Sequence, residues 1–338
     1  MKKVIFVCCT PYQLLNAINL KTNNYYNDIC DIVLVNHYKD AKRYYEVLRN
    51  KDFFDSIYFL DLKKENTTEK KNLAKNLYKR INKYFITTKD YIENFEIKNY
   101  DELIIGNNLY FSNVLFADIK RINNKAIVNL LEDGLGTYVK KFEILDRKTI
   151  QRNKLFRRYF IEEKNISKAL VYNTSLLSFK STYKFEEVPI ISDEVFNKIV
   201  ELLEIKIEKI KMPRIIYFDQ PFTLDGVNIS EVNVMEDILR EYKEVAIKLH
   251  PRQLKSRYEK RSNVSFIENL EIPWEIAIKF IDNIEECKFI TVNSTAVFTP
   301  GILYGKKVDI LLLNDKFKSN KGYEETEIFI EKFKKEYL

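Results

Sequence analysis

Short apolar runs alternate with helix-forming segments along most of the chain, and this alternation limits the fold more than any other feature of the sequence. A continuous apolar run is typical of a strand that is buried on both faces, as strands are in parallel sheets. Strands separated by helices build βαβ units and predict an α/β fold. The predicted strands are Val4–Cys9, Asp31–Val35, Ser56–Leu60, Glu102–Ile105, Ala126–Leu131, Ala169–Tyr172, Arg214–Phe218, Val245–Leu249, Val264–Ile267, Phe289–Val292 and Val308–Leu312.

The alternation is interrupted once, and the interruption divides the chain. After Gly136 the pattern weakens into a charged region, Lys140–Lys164. One predicted strand, Ala169–Tyr172, and a predicted helix, Ser192–Lys211, follow it. Met212-Pro213 ends that helix, and the alternation then restarts. Because 338 residues are also many for one domain, we predict two Rossmann-like domains, residues 1–211 and 212–338. The other main helices are predicted at Tyr12–Leu20, Ala41–Arg49, Asn108–Arg121, Ser230–Tyr242, Pro273–Glu286, Ala296–Tyr304 and Glu324–Tyr337, the last a candidate to pack back on the first domain.

The basic residues do not form the dense stripe that is typical of nucleic-acid-binding proteins. The formal net charge is +7, but lysines and glutamates are mixed, as in Lys63–Arg80. A moderate excess of this kind suits an anionic ligand or a loose attraction to anionic lipid. We therefore predict no nucleic-acid partner.

Cysteine spacing predicts no metal centre. The chain has four cysteines, Cys8, Cys9, Cys30 and Cys287, without CxxC or similar ligand spacing. Such cysteines are most simply explained as free thiols in a reducing cytoplasm. The apolar run after Lys2-Lys3 is too short for a signal peptide. No later stretch approaches the roughly 20 apolar residues of a membrane span. We expect a cytoplasmic protein, with peripheral contact at the inner face of the cell membrane as a further option.

His250-Pro251-Arg252 ends the apolar strand Val245–Leu249, because proline cannot continue a central strand. The imidazole and the guanidinium therefore stand at the carboxyl end of a strand, where open α/β sheets bind ligands. A forked guanidinium and an imidazole that can donate a proton suit a departing phosphate. The alternative is an exposed histidine in a turn, since the only other histidine, His37, also ends an apolar run.

Glu132-Asp133-Gly134 directly follows the predicted strand Ala126–Leu131. Two neighbouring carboxylates push one pKa upward, which suits a general base. Gly134 allows a tight turn after them. The alternative is an ordinary strand-to-helix turn in which Asp133 caps the helix.

Asn293-Ser294-Thr295 follows the strand Phe289–Val292 and opens the predicted helix Ala296–Tyr304. Hydroxyl groups and free backbone N–H groups at a helix N-terminus form an anion site. The same residues also make a plain N-cap, with or without a ligand.

Motifs of several enzyme classes are missing from the sequence. There is no GxxxxGK[ST], no GxGxxG and no G-x-S-x-G, and no DxD-like pair stands at a strand end. Asp219-Gln220 and Asp225-Gly226, which follow the strand Arg214–Phe218, are further candidates to line a site, with turn residues as the alternative.

Taken in order, Glu132-Asp133-Gly134, His250-Pro251 and Ser294-Thr295 resemble the motifs of bacterial sialyltransferases. These are glycosyltransferase family 52, which includes lipooligosaccharide sialyltransferases, and the related polysialyltransferases. The opening segment Val4–Leu20 is also similar to the amino terminus of family 52. The resemblance spans nearly the whole chain, and its specificity lies in the order and spacing of short motifs. A Ser-Ser pair is common where this chain has Ser294-Thr295, which keeps the hydroxyl chemistry.

The resemblance implies a GT-B fold, in which two Rossmann-like domains face each other across a cleft. The first domain would lie on the acceptor side and the second on the nucleotide-sugar side. The implied activity is an inverting transfer of sialic acid from CMP-sialic acid to a terminal sugar, galactose for example, of a surface glycan such as lipooligosaccharide or capsule. It implies no metal and no cofactor.

The resemblance also implies roles for individual residues. The base would be Asp133 or Glu132, with Asp219 and Asp225 as rivals, and His250 would assist the departing phosphate. The CMP contacts would be His250, Pro251, Arg252, Asn293, Ser294 and Thr295, and the acceptor contacts would be Thr10 and Gly134.

Other functions remain open from the sequence. One is a related glycosyltransferase with another sugar nucleotide, or an elongating enzyme like the polysialyltransferases. Another is a non-catalytic protein that docks on anionic polysaccharide or membrane, which would keep ligand binding after His250→Ala. The aromatic segment Phe142–Phe160 is a candidate contact between two subunits of a homodimer.

Overall fold

The computed structural model describes residues 1–62, 87–142, 161–250, 252–253, 258, 262–267, 272–313, 315 and 323–338. The chain forms two compact units. The first holds Met1–Asp133, Lys141–Thr174 and Lys180–Ile205, and the second holds Gly134–Lys140, Ser175–Phe179 and Lys206–Leu338. Pro251 lies outside the described residues. So does the aromatic segment Phe142–Phe160, except for Phe142 itself.

The first unit is built on a parallel sheet. Within the described residues its strands are β1 (Lys3–Cys8), β2 (Ile29–Val35), β3 (Ser56–Leu60), β4 (Glu102–Ile105), β5 (Ile127–Leu131), β6 (Ile166–Val171) and β7 (Lys184–Glu187). Their order is β3-β2-β1-β4-β5-β6-β7, and each neighbouring pair is parallel. Consecutive residues Val4 to Cys8 are all buried, which requires cover on both faces because successive side chains alternate.

The second unit contains a smaller parallel sheet of the same kind. Among the described residues its strands are β8 (Ile215–Phe218), β9 (Val245–Lys248), β10 (Val264–Phe266), β11 (Lys288–Thr291) and β12 (Asp309–Leu312), in the order β10-β9-β8-β11-β12. Each sheet starts at its centre, grows to one side and then to the other, which is the strand order of Rossmann folds. The predicted α/β fold with two Rossmann-like units, the building plan of the GT-B class, is confirmed.

The helices connect these strands. Among the residues that the structure describes they are, in chain order, α1 (Pro11–Asn23), α2 (Ala41–Leu48), α3 (Thr88–Tyr91), α4 (Tyr110–Ile122), α5 (Leu135–Val139), α6 (Asp193–Leu202), α7 (Glu231–Glu241), α8 (Trp274–Ala277), α9 (Thr299–Tyr304) and α10 (Tyr323–Tyr337). Helix α1 begins as predicted, because the Thr10 hydroxyl accepts the Gln13 N–H at 3.2 Å and Pro11 takes the first position. In the part of the chain that the structure describes, none of the helices is long and apolar enough to cross a bilayer.

Two predicted helices of the second unit are broken. The segment Pro273–Glu286 forms α8 and then short 3-10 turns, because Ile281 leaves the helix to pair with Ile210 and the Asn283 side chain binds the backbone of Met212. The segment Ala296–Tyr304 forms a 3-10 turn before α9. In the first case tertiary pairing overrides a helical sequence pattern.

The division between the units differs from the single boundary predicted near residue 212. Helix α6 ends at Leu202, well before the predicted Lys211, and Glu204 turns the chain with a φ of 49°. The chain then enters the second unit at Lys206. Two segments of the predicted first domain, Gly134–Lys140 with α5 and Ser175–Phe179, also belong to the second unit.

The C-terminal helix α10 packs inside the second unit. Its Phe329 ring lies 5.6 Å from the Tyr138 ring of α5 and 5.0 Å from the Phe298 ring. Phe333 contacts the same Phe298 ring at 4.9 Å. These buried rings explain why a segment of the first half of the chain belongs to the second unit.

Candidate active site

The candidate residues lie where they were expected, at the carboxyl ends of central strands. In the first unit, Thr10 follows β1 and Asp133 follows β5. In the second unit, Asp219, His250 and Asn293 follow β8, β9 and β11, which are neighbours in the sheet. This edge of a doubly wound sheet, where the strand order reverses, is the usual ligand-binding edge.

Asp133 is a half-buried carboxylate at the edge of the first sheet. The Thr10 hydroxyl donates to its Oδ1 at 3.3 Å. Burial raises the pKa of Asp133, while hydrogen bonding from Gln13 and Thr10 lowers it less strongly. The sequence predicted a raised pKa from like charges in the acidic pair, but desolvation is the main cause. The pKa of Asp133 therefore lies above that of a free aspartate, a direction that suits a general base.

Glu132 has a different environment from its neighbour. Only 1% of its surface is exposed. Tyr12 Oη donates to Oε1 at 2.6 Å, and the Tyr172 N–H donates to Oε2 at 2.9 Å. Both oxygens accept hydrogen bonds inside the unit, so this carboxylate holds the ends of β5 and β6 to helix α1. Its placement favours Asp133 over Glu132 as the residue that meets an acceptor.

Gln13 is a site residue that sequence reasoning missed. It is fully buried, its Oε1 accepts the Cys9 N–H at 2.7 Å, and its side chain also interacts with Asp133. A glutamine three residues after a threonine N-cap is a capping-box signal, which the sequence contained. Gly106, at the end of β4, makes room for this side chain, because a Cβ there would lie 2.4 Å from Gln13 Nε2.

We expect Gly106→Ala to destabilise the protein by about 1–3 kcal/mol, the usual cost of overpacking, and to lower turnover. The added methyl group must displace Gln13, which contacts Asp133. Urea unfolding and steady-state rates measure the two effects. Gly136→Ala is the matched control, because its added Cβ would meet only Lys140 Cε at 3.7 Å. Equal stability of both variants would contradict this packing argument.

Gly134 has a φ of 78°, a backbone conformation that favours glycine. An added Cβ would lie 3.7 Å from Thr295 Cβ, which is an ordinary contact. Glycine is therefore required at this turn by the backbone conformation, and not by a lack of room for a side chain. Within the second unit, the structure brings Gly134 close to Thr295, so a predicted acceptor contact and a predicted donor contact are neighbours.

His250 is half-buried at the end of β9 in the second unit. The Arg252 N–H donates to His250 Nδ1 at 3.2 Å, so the neutral ring carries its proton on Nε2. Burial lowers the pKa of His250, and the charges of Arg252 and Lys248 lower it further, against a small opposing effect of Asp225. At neutral pH the ring is therefore a neutral donor through Nε2.

We expect an NMR titration to find His250 below 6.5, the usual pKa of an imidazole, with the neutral ring protonated at Nε2. Nitrogen-15 spectra resolve this, because the chain has only two histidines and His37→Ala assigns them. Arg252→Ala is expected to raise the pKa of His250. Since the folded state favours the neutral ring, stability is expected to fall as the pH drops from 6.5 through the lowered pKa. A His250 pKa at or above the usual value would contradict the described surroundings.

Arg252 and Asp225 form an exposed pair. The guanidinium binds the carboxylate through two bonds of 2.8 and 2.9 Å, and this bonding lowers the pKa of Asp225. Two of the five N–H donors of the Arg252 guanidinium are engaged by Asp225, and the others are available to a phosphate. Asp219 is only 2% exposed and accepts a hydrogen bond from Tyr258 Oη. Both placements make these two aspartates weak rivals to Asp133.

The turn at Ser294 differs from the predicted start of a helix. The Ser294 N–H donates to Thr291 Oγ1 at 2.9 Å, and the Asn293 N–H donates to Gln220 Oε1 at 3.0 Å. These two N–H groups therefore have partners within the protein, and a short 3-10 turn follows in place of a regular helix. Ser294 is half-buried and Thr295 is exposed. The hydroxyl groups, not a helix terminus, are what this turn offers to an anion.

The family of the chain follows from a match that covers nearly all of it. The model of the alpha-2,8-polysialyltransferase (POLYST) family matches residues 4–314. The chain belongs to this family. The chain is therefore a glycosyltransferase of a sialyltransferase-type family, with a nucleotide-sugar donor and a glycan acceptor. The predicted sialyltransferase-type family is confirmed, and the narrower assignment to family 52 stays a prediction.

Similar proteins are distant. No curated protein sequence matches the chain. Among solved structures, spinosyn forosaminyltransferase SpnP is 10% identical with a TM-score of 0.43, and 99% of this chain and 95% of that chain are covered. The glycosyltransferase VinC, in complex with dTDP, is 11% identical with a TM-score of 0.46 and the same coverage of 99% and 95%. SnogD from Streptomyces nogalater is 10% identical with a TM-score of 0.41, covering 89% and 78%. Likeness at this level decides neither substrate nor mechanism.

Proposed function

We propose that this member of the polysialyltransferase family transfers sialic acid from CMP-sialic acid to a glycan acceptor, with inversion and without a metal ion. The observation that carries the proposal is the family match over residues 4–314. Asp133 and His250, each at a ligand-binding strand end, support it as the two groups that such a transfer needs.

In this reaction the acceptor hydroxyl attacks the anomeric carbon of sialic acid while the bond from that carbon to the phosphate oxygen breaks. A base must take the hydroxyl proton, and the departing CMP needs its developing charge stabilised. We assign the base to Asp133, because its carboxylate is the accessible one of the acidic pair and its pKa is raised by burial.

We assign the stabilisation of the phosphate to His250 and the turn at Ser294. His250 would donate from Nε2, since its Nδ1 is already an acceptor for the Arg252 N–H. Ser294 and Thr295 would add hydroxyl donors, and Lys248 would add positive potential. Neutral and cationic donors of this kind can replace a metal ion at a leaving phosphate.

The acceptor is the finer part of the proposal. A terminal galactose of lipooligosaccharide or capsule was the expectation from the sequence. The name of the family, alpha-2,8-polysialyltransferase, favours an acceptor that already ends in sialic acid. We place the reaction in the cytoplasm, at or near the inner face of the membrane where surface glycans are assembled.

A panel of donors and acceptors tests this proposal. The full chain is incubated with CMP-sialic acid, UDP-glucose or UDP-galactose, each with a lactose-type acceptor or an α2,8-linked sialic acid oligomer. We expect release of nucleotide only from CMP-sialic acid and only with an acceptor. Consumption of another sugar nucleotide would overturn the donor while keeping the enzyme class. Binding of polysaccharide without turnover of any donor would favour the non-catalytic alternative.

A further inference from the structure

Gln220, the second residue after β8, clamps the backbone just before Ser294. Its Oε1 accepts the Asn293 N–H at 3.0 Å, and its Nε2 donates to the Asn293 carbonyl at 2.8 Å. One side-chain amide therefore occupies both backbone groups of a single residue. Only a side chain with a donor and an acceptor side by side can do this.

Gln253 connects the same Gln220 to the turn that carries His250. The Gln253 N–H donates to the His250 carbonyl at 2.9 Å, and Gln253 Nε2 donates to the Gln220 carbonyl at 2.9 Å. Gln253 is 8% exposed, so these bonds are shielded from water. A continuous series of hydrogen bonds thus runs from the His250 turn through the two glutamines to Asn293.

A buried carboxylate anchors this series. Glu231 is 2% exposed, and its Oε1 lies 3.2 Å from Gln253 Nε2. It also accepts the Thr223 N–H at 2.8 Å and the Thr223 hydroxyl at 2.6 Å. The glutamines are therefore held from the interior of the second unit and not by a mobile surface contact.

We propose that Gln220 and Gln253 are positioning residues that fix the separation between the His250 imidazole and the Ser294 hydroxyl, so that both reach one phosphate of the donor. This inference rests on the proposed function, because it assigns the phosphate of CMP to the two turns. Neither glutamine needs to touch the ligand. Their effect is that the donors are already placed before the nucleotide arrives, which lowers the cost of binding.

Isosteric variants test this role. Gln220→Met keeps the length of the side chain and removes both hydrogen bonds, while Gln220→Glu keeps only the acceptor. The Kd of CMP, measured by calorimetry, is expected to rise about tenfold in Gln220→Met, as for the loss of about 1.4 kcal/mol. The glutamate variant is expected to bind CMP no better than Gln220→Met, because its second carboxylate oxygen faces the Asn293 carbonyl and its negative charge opposes the phosphate. Gln253→Met is expected to weaken CMP binding in the same direction as Gln220→Met.

Asn283 offers a matched control. Its side-chain amide also binds both backbone groups of one residue, accepting the Met212 N–H and donating to the Met212 carbonyl, each at 2.8 Å. This clamp lies in the same unit, before the amino end of β8. Asn283→Leu is therefore expected to lose similar stability in urea and to keep the wild-type Kd of CMP.

A double-mutant cycle completes the test. If Gln220 acts through the turn at Ser294, Gln220→Met should weaken CMP binding much less in a Ser294→Ala background than in the wild type. Unchanged CMP affinity in Gln220→Met, additive effects in the cycle, or equal loss in Asn283→Leu would each overturn the positioning role. A wild-type chain that binds no CMP would overturn both this inference and the proposed function, which separates the two failures.

Discussion

Replacement of His250 by alanine is expected to reduce kcat by roughly 100- to 10,000-fold, the range for loss of a positioned proton donor. The half-buried imidazole stands at the carboxyl end of β9, and its Nδ1 is engaged by the Arg252 N–H, so Nε2 is the group that would meet the phosphate in the proposed reaction. The measurement is acceptor-dependent release of CMP from CMP-sialic acid, together with the urea midpoint of unfolding.

The chain provides its own control for this experiment. His37, the only other histidine, is exposed at the end of β2 in the first unit. His37→Ala is expected to keep wild-type turnover and stability. Similar rates for the two alanine variants would contradict the role of His250, whether both rates are high or both are low.

The second large effect is expected at the acidic pair, where two adjacent substitutions should fail for different reasons. Asp133→Asn removes the proposed base, so we expect kcat to fall roughly 100- to 10,000-fold in a stably folded protein. Glu132→Gln places an amide N–H₂ group among the donors of Tyr12 and Tyr172. The amide can accept only one of the two hydrogen bonds that the carboxylate accepts, and the loss of a charge-assisted bond at this buried position costs about 1–3 kcal/mol, so this variant should unfold at lower urea.

The pH dependence of turnover tests the assignment of the base independently. The base must be deprotonated, so turnover is expected to rise with pH through the Asp133 pKa, which burial raises above the usual aspartate value of 3.8. If Glu132→Gln instead kept its stability and lost turnover while Asp133→Asn stayed active, the base would be Glu132.

The sequence predicted the sheets well because their strands are nearly pure apolar runs. The run Val4–Cys9 contains no charged or strongly polar residue that would indicate an exposed helix or loop. The observed strand is Lys3–Cys8. The edge strand β7 was not predicted, since Lys184–Glu187 is mostly charged and is held by pairing with β6 alone. Strand formation there depends on pairing with β6, the preceding strand, and not on the apolar pattern of the segment itself.

The candidate site was predictable in position and less so in detail. Proline after His250 and glycine after Asp133 mark the strand ends that the structure then placed at the expected edges. The sequence did not reveal that Glu132 points to Tyr12 and Tyr172, or that Gln13 supports Asp133, because these contacts join residues 40 or more positions apart or depend on the space left by Gly106. Similarly, the sequence predicted a helix N-terminus at Ser294, where the structure has a turn whose backbone at Asn293 is bound by the Gln220 side chain.

The most direct test of the central claim is a reaction of the full chain with CMP-sialic acid and an α2,8-linked sialic acid acceptor in the presence of EDTA. The account predicts CMP release at an undiminished rate and an acceptor lengthened by sialic acid with inverted anomeric configuration, both lost in His250→Ala and kept in His37→Ala. Intact CMP-sialic acid with either this acceptor or a lactose-type acceptor would contradict the proposed donor. A rate abolished by EDTA and restored by a divalent cation would contradict the metal-independent mechanism.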